Sequence, residues 1–364
     1  MEIFYDVTIS CLPREIMVNI FQYLNYTELK QVVLVCQHWR ELGEDPFLWR
    51  KFCLDPVKVF QETAKVFEED FTYEGQFQCN SGEFSKLLNI PRLAMLEHLE
   101  INPKSVRKLK EEIFVSILNS NLSSLYVGYK TQLLNILPGT IANVINSLKN
   151  VTLKAKLTNN QLEQFFDVSK TTNLETLELY HNNLSKVKSP HLSELFSNLK
   201  QLTLSFVEVT TSQAEEIFTK ISQLSRLESL HMNNVNLSKV DPDVLAKSLG
   251  NLKKLSLQNA LLHRKQVKQL LVRLGEGNWL TLLDLSGNDL SFASSNMLAS
   301  VVIRVEKAGL RDTNLNIEQI QELFERVHEN CPLKHLAVSD NKDLDRVYNE
   351  LKQKVGKLLT SVDF

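Results

Sequence analysis

The sequence has little glycine and proline, with 11 and 9 copies in 364 residues. This scarcity argues against a β-sandwich rich in Gly/Pro turns and against long disordered linkers. The longest nearly continuous apolar stretch, Val32 to Cys36, is far shorter than the ~20 apolar residues of a membrane-spanning helix. The first ten residues have neither a basic start nor an apolar core, so we expect no signal peptide and no membrane association.

Cysteine is also scarce, and the chain has no excess of positive charge. Five cysteines, an odd number with no Cys-x-x-Cys spacing, favour free thiols in a reducing cytoplasm or nucleus. The formal net charge is −2, so the chain lacks the basic excess expected of a nucleic-acid-binding protein. Neither a zinc-type spacing of Cys and His nor a phosphate-loop or hydrolase motif occurs. The sequence therefore predicts no active site, metal or cofactor, and function must come from surfaces.

The first fifty residues have a helical pattern. Pro13 can begin a helix because its missing N–H would be unpaired there, and Ile16, Ile20 and Leu24 then fall on one face. A second helix follows, and Asp45-Pro46 begin a third that reaches about residue 52. Helices this short cannot bury all their apolar surface in about forty residues. Either this surface packs inward as a three-helix unit, or part of it docks the helices of another protein.

The spacing of the apolar residues in this segment is specific. The series has no gaps and consists of Leu12-Pro13-Arg14-Glu15-Ile16, Ile20-Phe21, Leu24, Leu29, Val32, Val35-Cys36, Trp39-Arg40, Leu42 and Leu48-Trp49. With these residues, the segment 10–53 resembles the F-box. The resemblance implies binding to a Skp-type adaptor, which links to a cullin and a RING subunit in an SCF ubiquitin ligase. The adaptor-binding positions that it implies are Leu12, Pro13, Ile16, Ile20, Leu24 and Trp49, whereas Trp39 is expected in the core.

From residue 93 onward the chain repeats a Leu-x-x-Leu-x-Leu pattern about ten times. Successive units lie 25, 26 or 28 residues apart, within the ~20–29 residues of leucine-rich repeats, except around a weak ninth unit at Ile303-Val305-Leu310. The period of two predicts short strands with inward leucines, and the amphipathic runs between them predict helices. We therefore expect an α/β fold, in which a small three-helix F-box precedes a leucine-rich-repeat horseshoe with concave parallel strands and convex helices.

The predicted domain organisation has five parts. They are an N-terminal tail 1–9, the F-box 10–53, a helical linker 54–92, the repeats 93–345, and a cap helix or tail 346–364. The last segment is interpreted as a cap because Leu351, Val355 and Leu358 fall at helical spacing.

Outward strand positions can be read from the repeat motif. The central column contains Glu100, Tyr126, Thr152, Glu178, Thr203, His231, Ser256, Asp284, Arg304 and Ala337. Binding energy in protein interfaces concentrates in a few aromatic and arginine side chains. We expect the residues that bind the target to be Tyr126, Glu178, Tyr180, His231, Asp284 and Arg304. A merely solvated face is the alternative.

The leading functional hypothesis is a non-catalytic substrate receptor of an SCF-type ubiquitin ligase, cytoplasmic and/or nuclear. Its F-box would dock the adaptor, and its repeats would hold an unidentified protein target for ubiquitin-dependent degradation. A non-degradative F-box scaffold is an alternative that the sequence does not separate from the first. A GTPase regulator that uses a concave arginine is a third, and it would have no use for residues 10–53.

Overall fold

A computed structural model describes the following residues: 12–24, 26–43, 45, 48, 51–52, 97–101, 111–129, 131–168, 173–224, 226–249, 252–277, 280–342, 344 and 359–363. Contacts within the chain divide it into two compact units, residues 1–148 and 149–364. The predicted linker 54–92 and the position of Trp49 lie outside the described residues.

The first unit begins with three short helices, α1 (Arg14–Phe21), α2 (Tyr26–Val35) and α3 (Gln37–Gly43). The inward face of α1 consists of Met17, Val18 and Phe21, all buried. The ring of Phe21 meets Trp39 edge-on at 5.3 Å between centroids, so Trp39 belongs to the small core as expected. Met17 is fully enclosed, so its side chain contributes to this core and not to the outer surface of α1.

The remainder of the first unit joins this helical segment to the first repeats. It contains β1 (Lys51–Phe52), β2 (His98–Ile101), α4 (Glu111–Leu118), β3 (Ser124–Val127) and α5 (Pro138–Ser147). Strand β1 pairs in parallel with β2, and Lys51 lies opposite His98. The expectation of a helix up to residue 52 was therefore wrong. Residues 51–52 instead supply hydrogen bonds to the edge of the first repeat strand, which would otherwise be open.

The second unit is a leucine-rich-repeat solenoid. Its strands are β4 (Asn150–Leu153), β5 (Thr176–Tyr180), β6 (Gln201–Ser205), β7 (Ser229–Asn233), β8 (Lys254–Ser256), β9 (Leu282–Asp284), β10 (Lys307–Gly309), β11 (His335–Ala337) and β12 (Ser361–Asp363). Its helices are α6 (Asn159–Val168), α7 (Ser189–Asn198), α8 (Thr211–Leu224), α9 (Pro242–Lys247), α10 (Arg264–Gly275), α11 (Ser295–Val302) and α12 (Ile317–Arg326). The strands are parallel and adjacent in chain order, which confirms the predicted α/β repeat fold.

Buried and more exposed side chains alternate along the strands, and the buried ones form the core. Leu177, Leu202 and Leu230 occupy equivalent inward positions, and each side chain is fully buried. Burying one leucine contributes about 1.5–3 kcal/mol, and stacking repeats the contribution in every unit. In β5 the outward side chains of Thr176, Glu178 and Tyr180 are half-buried and alternate with leucines. The smaller outward serines, Ser205, Ser229 and Ser256, are buried.

Two strands differ from the prediction. The ninth repeat strand is Lys307–Gly309, not the segment around Val305, which lies in the turn after α11. The inward position of this strand is Ala308, so the strand lacks an inward leucine. Val305 is buried in the turn, and its apolar side chain was mistaken for the inward strand residue. At the C-terminal end, Ser361–Asp363 form a strand that pairs with β11, so this part of the predicted cap is a strand.

Glutamines fasten alternate repeats to the repeat before them. Gln213 in α8 accepts the N–H of Thr210 and donates to the carbonyls of Leu184 and Val187, at 2.8 and 2.7 Å. Gln266 and Gln319 make equivalent bonds in α10 and α12. All three are buried, so each amide satisfies backbone groups that water cannot reach. We call these three residues the glutamine staples.

Candidate interaction surfaces

An apolar stripe runs along the outward face of α1. Ile16 and Ile20, one helical turn apart, are 45% and 39% exposed, and Pro13 is exposed at the start of the helix. Leu12 and Leu24 are half-buried at its two ends. Because the opposite face of α1 supplies the core, the helical segment folds without burying this stripe.

Tyr23 extends the stripe beyond the predicted residues. It is the most exposed large hydrophobic side chain of the described chain, at 84%. Tyr23 comes seven residues after Ile16, so helical spacing alone could have indicated it. The stripe is held in place at its base, where the Arg14 guanidinium contacts the Asp45 carboxylate at 2.7 Å.

The second surface is the open sheet face, which we define as the outward side chains of β4 to β12. Its central column is set by strand register and consists of Thr152, Glu178, Thr203, His231, Ser256, Asp284, Gly309, Ala337 and Asp363. The register thus confirms the predicted outward positions from Thr152 to Asp284, and Ala337 is also correctly placed. In the first unit, Tyr126 is half-buried on β3 opposite Glu100 of β2.

Arg304 is not on the open sheet face. The position that the sequence assigned to it belongs to Gly309, which pairs with Asp284. Arg304 follows α11 and donates from Nη1 to the carbonyl of Gly275 at 2.8 Å. The sequence pattern did not indicate Arg311, which lies two residues after Gly309. Its guanidinium forms an ion pair with Asp363 of β12.

A polar network crosses the C-terminal half of the open sheet face. The carboxylate of Asp284 accepts hydrogen bonds from the Gln258 side chain and from the backbone N–H of Ser286. The Ser286 hydroxyl in turn accepts the N–H of Arg311. Because the polar groups here are already oriented by their neighbours, a partner would meet a fixed arrangement of donors and acceptors.

A recess of about 330 Å³ interrupts the face beside this network. Its lining includes Gly309 and Ala337, which have almost no side chain, and the charged residues Asp284, Lys307 and Arg311. The lining thus carries both charge signs.

Tyr180 anchors the N-terminal half of the open sheet face. Its hydroxyl lies 3.3 Å from a Glu178 carboxylate oxygen, and the Lys154 ammonium lies 5.1 Å from its ring centroid. Directly after the strands, the rings of His181 and Phe206 stack at 4.7 Å. Phe206 is half exposed and has a φ of 54°, which is unfavourable for an aromatic residue. This stacked pair was missed because it follows the strand motif.

His231 lies in the middle of the central column. Burial lowers its pKa, while Glu178 and Asp284 act in the opposite direction and Lys254 lowers it further. Its Nε2 lies 3.1 Å from the Ser229 hydroxyl. Burial therefore favours the neutral form of His231, which can form hydrogen bonds on this face.

Neither surface has the geometry of a metal centre. Within the described ranges, no three His, Cys, Asp or Glu side chains are grouped so that they could hold a metal ion. Among the described residues, no helix has the length and hydrophobicity that spanning a bilayer requires.

The first unit thus presents an apolar stripe on a small helical domain, and the second a stack of repeats with a polar face. These are the parts of a modular repeat protein. Residues 9–55 match the F-box-like family model. The chain therefore combines a segment that matches the F-box-like model with a stack of leucine-rich repeats.

The similar curated proteins carry a different repeat. The chain is 44% identical over 99 residues to F-box/WD repeat-containing protein 8 of Mus musculus, which is 24% of this chain and 16% of that protein. For the protein of the same name from Rattus norvegicus, identity is 44% over 50 residues, 14% and 8% of the two chains. The match thus spans less than a fifth of the length of these relatives.

Two solved repeat structures can be superposed on most of the chain at low similarity. A leucine-rich-repeat protein of Leptospira interrogans has a TM-score of 0.41 at 15% identity, with 85% of this chain and 98% of that chain covered. An internalin of Listeria monocytogenes has a TM-score of 0.42 at 17% identity, with 85% and 95% covered.

Proposed function

We propose that this protein is a non-catalytic substrate receptor of an SCF-type ubiquitin ligase. An F-box domain in general binds a Skp-type adaptor, and through it a cullin and a RING subunit. The repeats would hold a protein target close to the ubiquitin-loaded enzyme, in the cytoplasm or nucleus. Catalysis would then be promoted by proximity, because a tethered lysine has a high effective concentration.

The observation that carries this proposal is the apolar stripe of α1. Ile16 and Ile20 are exposed although the same helix buries Met17, Val18 and Phe21 in its own core. Exposed apolar side chains at helical spacing are typical of a face that packs against the helices of a partner.

The test is capture of a purified Skp-type adaptor. The double variant Ile16→Glu/Ile20→Glu puts two charges on the stripe and is expected to abolish capture without unfolding the chain. The matched control is Asn19→Glu/Gln22→Glu, which adds the same charge at exposed positions of the same helix segment. Adaptor capture by the first variant at the wild-type level would contradict the proposed docking face.

The open sheet face is the proposed target-binding surface. Tyr180 and His231 are half-buried on it and combine apolar contact area with a hydrogen-bonding group, as interface anchors do. Targets should accumulate on the Ile16→Glu/Ile20→Glu variant, which cannot deliver them to the ligase. Adding Tyr180→Ala/His231→Ala should release those targets, whereas Lys220→Ala/Glu325→Ala on the helices should not.

Reconstituted ubiquitylation separates receptor from scaffold. If a captured target gains ubiquitin in the presence of adaptor, cullin and RING subunit, the receptor proposal is supported. If it is captured but never modified, the protein is a non-degradative scaffold.

A further inference from the structure

Helix α10 differs in charge from the other helices of the second unit. It carries Arg264, Lys265, Lys268 and Arg273 and no acidic residue. The other six helices together carry nine acidic and three basic residues. More than half of the basic residues in these helices therefore lie on α10.

The four cations lie on the solvent side of α10. They are exposed, as are Gln269 and Val272, whereas Val267, Leu270 and Leu271 face the core. Val272 is 37% exposed between the cations. From Arg264 to Arg273 the stripe is about 14 Å long, at ~1.5 Å per helical residue. We call these exposed residues, Arg264, Lys265, Lys268, Gln269, Val272 and Arg273, the basic stripe.

The placement of these charges opposes the stability of the helix. Arg264 and Lys265 lie in the first turn, where the helix dipole favours acidic residues. Arg264 and Lys268 are like charges at i and i+4, which repel each other. The helices α9 and α12 of the same unit follow the usual preference, with Asp243 and Glu318 in their first turns.

Contacts within the chain leave much of this charge uncompensated. Arg273 contacts Glu276 at 3.0 Å, and the Arg264 guanidinium lies 5.4 Å from the Phe292 ring centroid. For Lys265 and Lys268, the described part of the chain supplies no carboxylate within ion-pair distance. Charges that cost stability and are not neutralised internally indicate that a partner supplies the opposite sign.

We propose that the basic stripe is a docking site for an acidic polypeptide segment with apolar residues between its carboxylates. The exposed Val272 among the cations fits such a segment. Nucleic acid fits less well, because the net charge of the chain is −2 and no aromatic side chain on the stripe could stack on a base. This site shares no residue with the apolar stripe of α1 or with the open sheet face.

The test uses fluorescence anisotropy of a labelled sixteen-residue peptide of four Glu-Leu-Glu-Glu units, with the full chain at 50 mM NaCl. The variant Arg264→Gln/Lys265→Gln/Lys268→Gln is expected to weaken binding at least tenfold. The matched control Lys156→Gln/Lys186→Gln/Lys239→Gln removes three exposed charges elsewhere in the same unit and should change it less than twofold. Raising NaCl to 300 mM should weaken wild-type binding.

Other outcomes would overturn the proposal. Absence of peptide binding at 50 mM NaCl, or an equal loss in the control variant, would rule out a specific site. Tighter binding of a sixteen-nucleotide oligo-dT or of phosphatidylserine vesicles, lost in the same variant, would replace the polypeptide by that class of polyanion.

The stripe variant should have a Tm at or above that of the wild type. A lower Tm would show that the cations stabilise α10 and would remove the argument. Adaptor capture should be unchanged in both variants, so this test is independent of the proposed ligase role.

Discussion

The carboxylate of Asp284 occupies the space that a Cβ on Gly309, its partner on the neighbouring strand, would need. A Cβ at position 309 would meet the carboxylate group, with Oδ2 at 2.8 Å, closer than real Cβ contacts allow. The missing side chain therefore lets Asp284 reach Gln258 and Ser286 and keeps the recess open. Here glycine is required by a close approach, not by a positive φ.

Gly309→Ala should therefore displace Asp284 and destabilise the second unit. Overpacking of this kind costs about 1–3 kcal/mol. Urea denaturation measures the loss. Gly275→Ala is the control, because a Cβ there meets nothing within 4 Å, and it should be neutral or slightly stabilising. Equal stability of the two variants would mean that Asp284 moves aside without cost.

Removal of a glutamine staple should destabilise the solenoid more than its loss of side-chain volume explains. Gln213→Ala removes the amide that donates to the buried carbonyls of Leu184 and Val187. The Leu184 carbonyl still accepts the Val187 N–H, so the Val187 carbonyl is the group left without this donor. An unsatisfied buried group costs about 1–3 kcal/mol, and we expect a loss in this range in urea denaturation. Gln269→Ala, at an exposed helical position, should change stability by less than about 0.5 kcal/mol.

His231 should make the stability of the second unit depend on pH. Its pKa in the folded state is lowered by burial, so the unfolded chain binds the proton more readily. Its contribution is thus present above the unfolded pKa, about 6.5, and is lost as the pH falls through the folded value. Thermal melts at pH 7.5 and 5.5 should show a smaller drop for His231→Gln than for the wild type. His38→Gln, on the surface of the first unit, should behave like the wild type.

Arg311 should hold the last strand in place. Arg311→Leu removes the ion pair with Asp363, and amide exchange in 359–363 should then accelerate. Arg304→Leu is the control, because that arginine contacts the Gly275 carbonyl and not β12. Protection of residues 359–363 that is unchanged in Arg311→Leu would show that the backbone bond from Val338 to Asp363 is sufficient.

The sequence predicted those features that depend on periodic leucines. Leu177, Leu202 and Leu230 gave the register of their strands, and with it Glu178, Thr203 and His231 on the outward side. The prediction failed where small residues replace the leucines. At β10 the inward residue is Ala308, and the stronger apolar signal of Val305 moved the strand and placed Arg304 on the wrong surface.

Features that depend on contacts between distant residues were not visible in the sequence. The staple role of Gln213 needs two carbonyls 26 and 29 residues earlier, although a glutamine three residues after each helix cap could have indicated a capping box. The short strand β12 has no leucine pattern, and the exposed Ile16 and Ile20 were foreseen because the F-box resemblance named them.

The staples define how this solenoid can change length. Gln213, Gln266 and Gln319 recur every 53 residues, whereas a single repeat is 25 or 28 residues long. Repeats of 25 and 28 residues alternate from β5 to β11, and each staple glutamine bonds to carbonyls in the preceding repeat, which has the other length. Deletion of one repeat would place two repeats of the same length next to each other, and a staple glutamine would then lack the loop carbonyls that it binds. Deletion of two consecutive repeats would restore the alternation of lengths. Repeats in this array should therefore be duplicated or deleted in pairs.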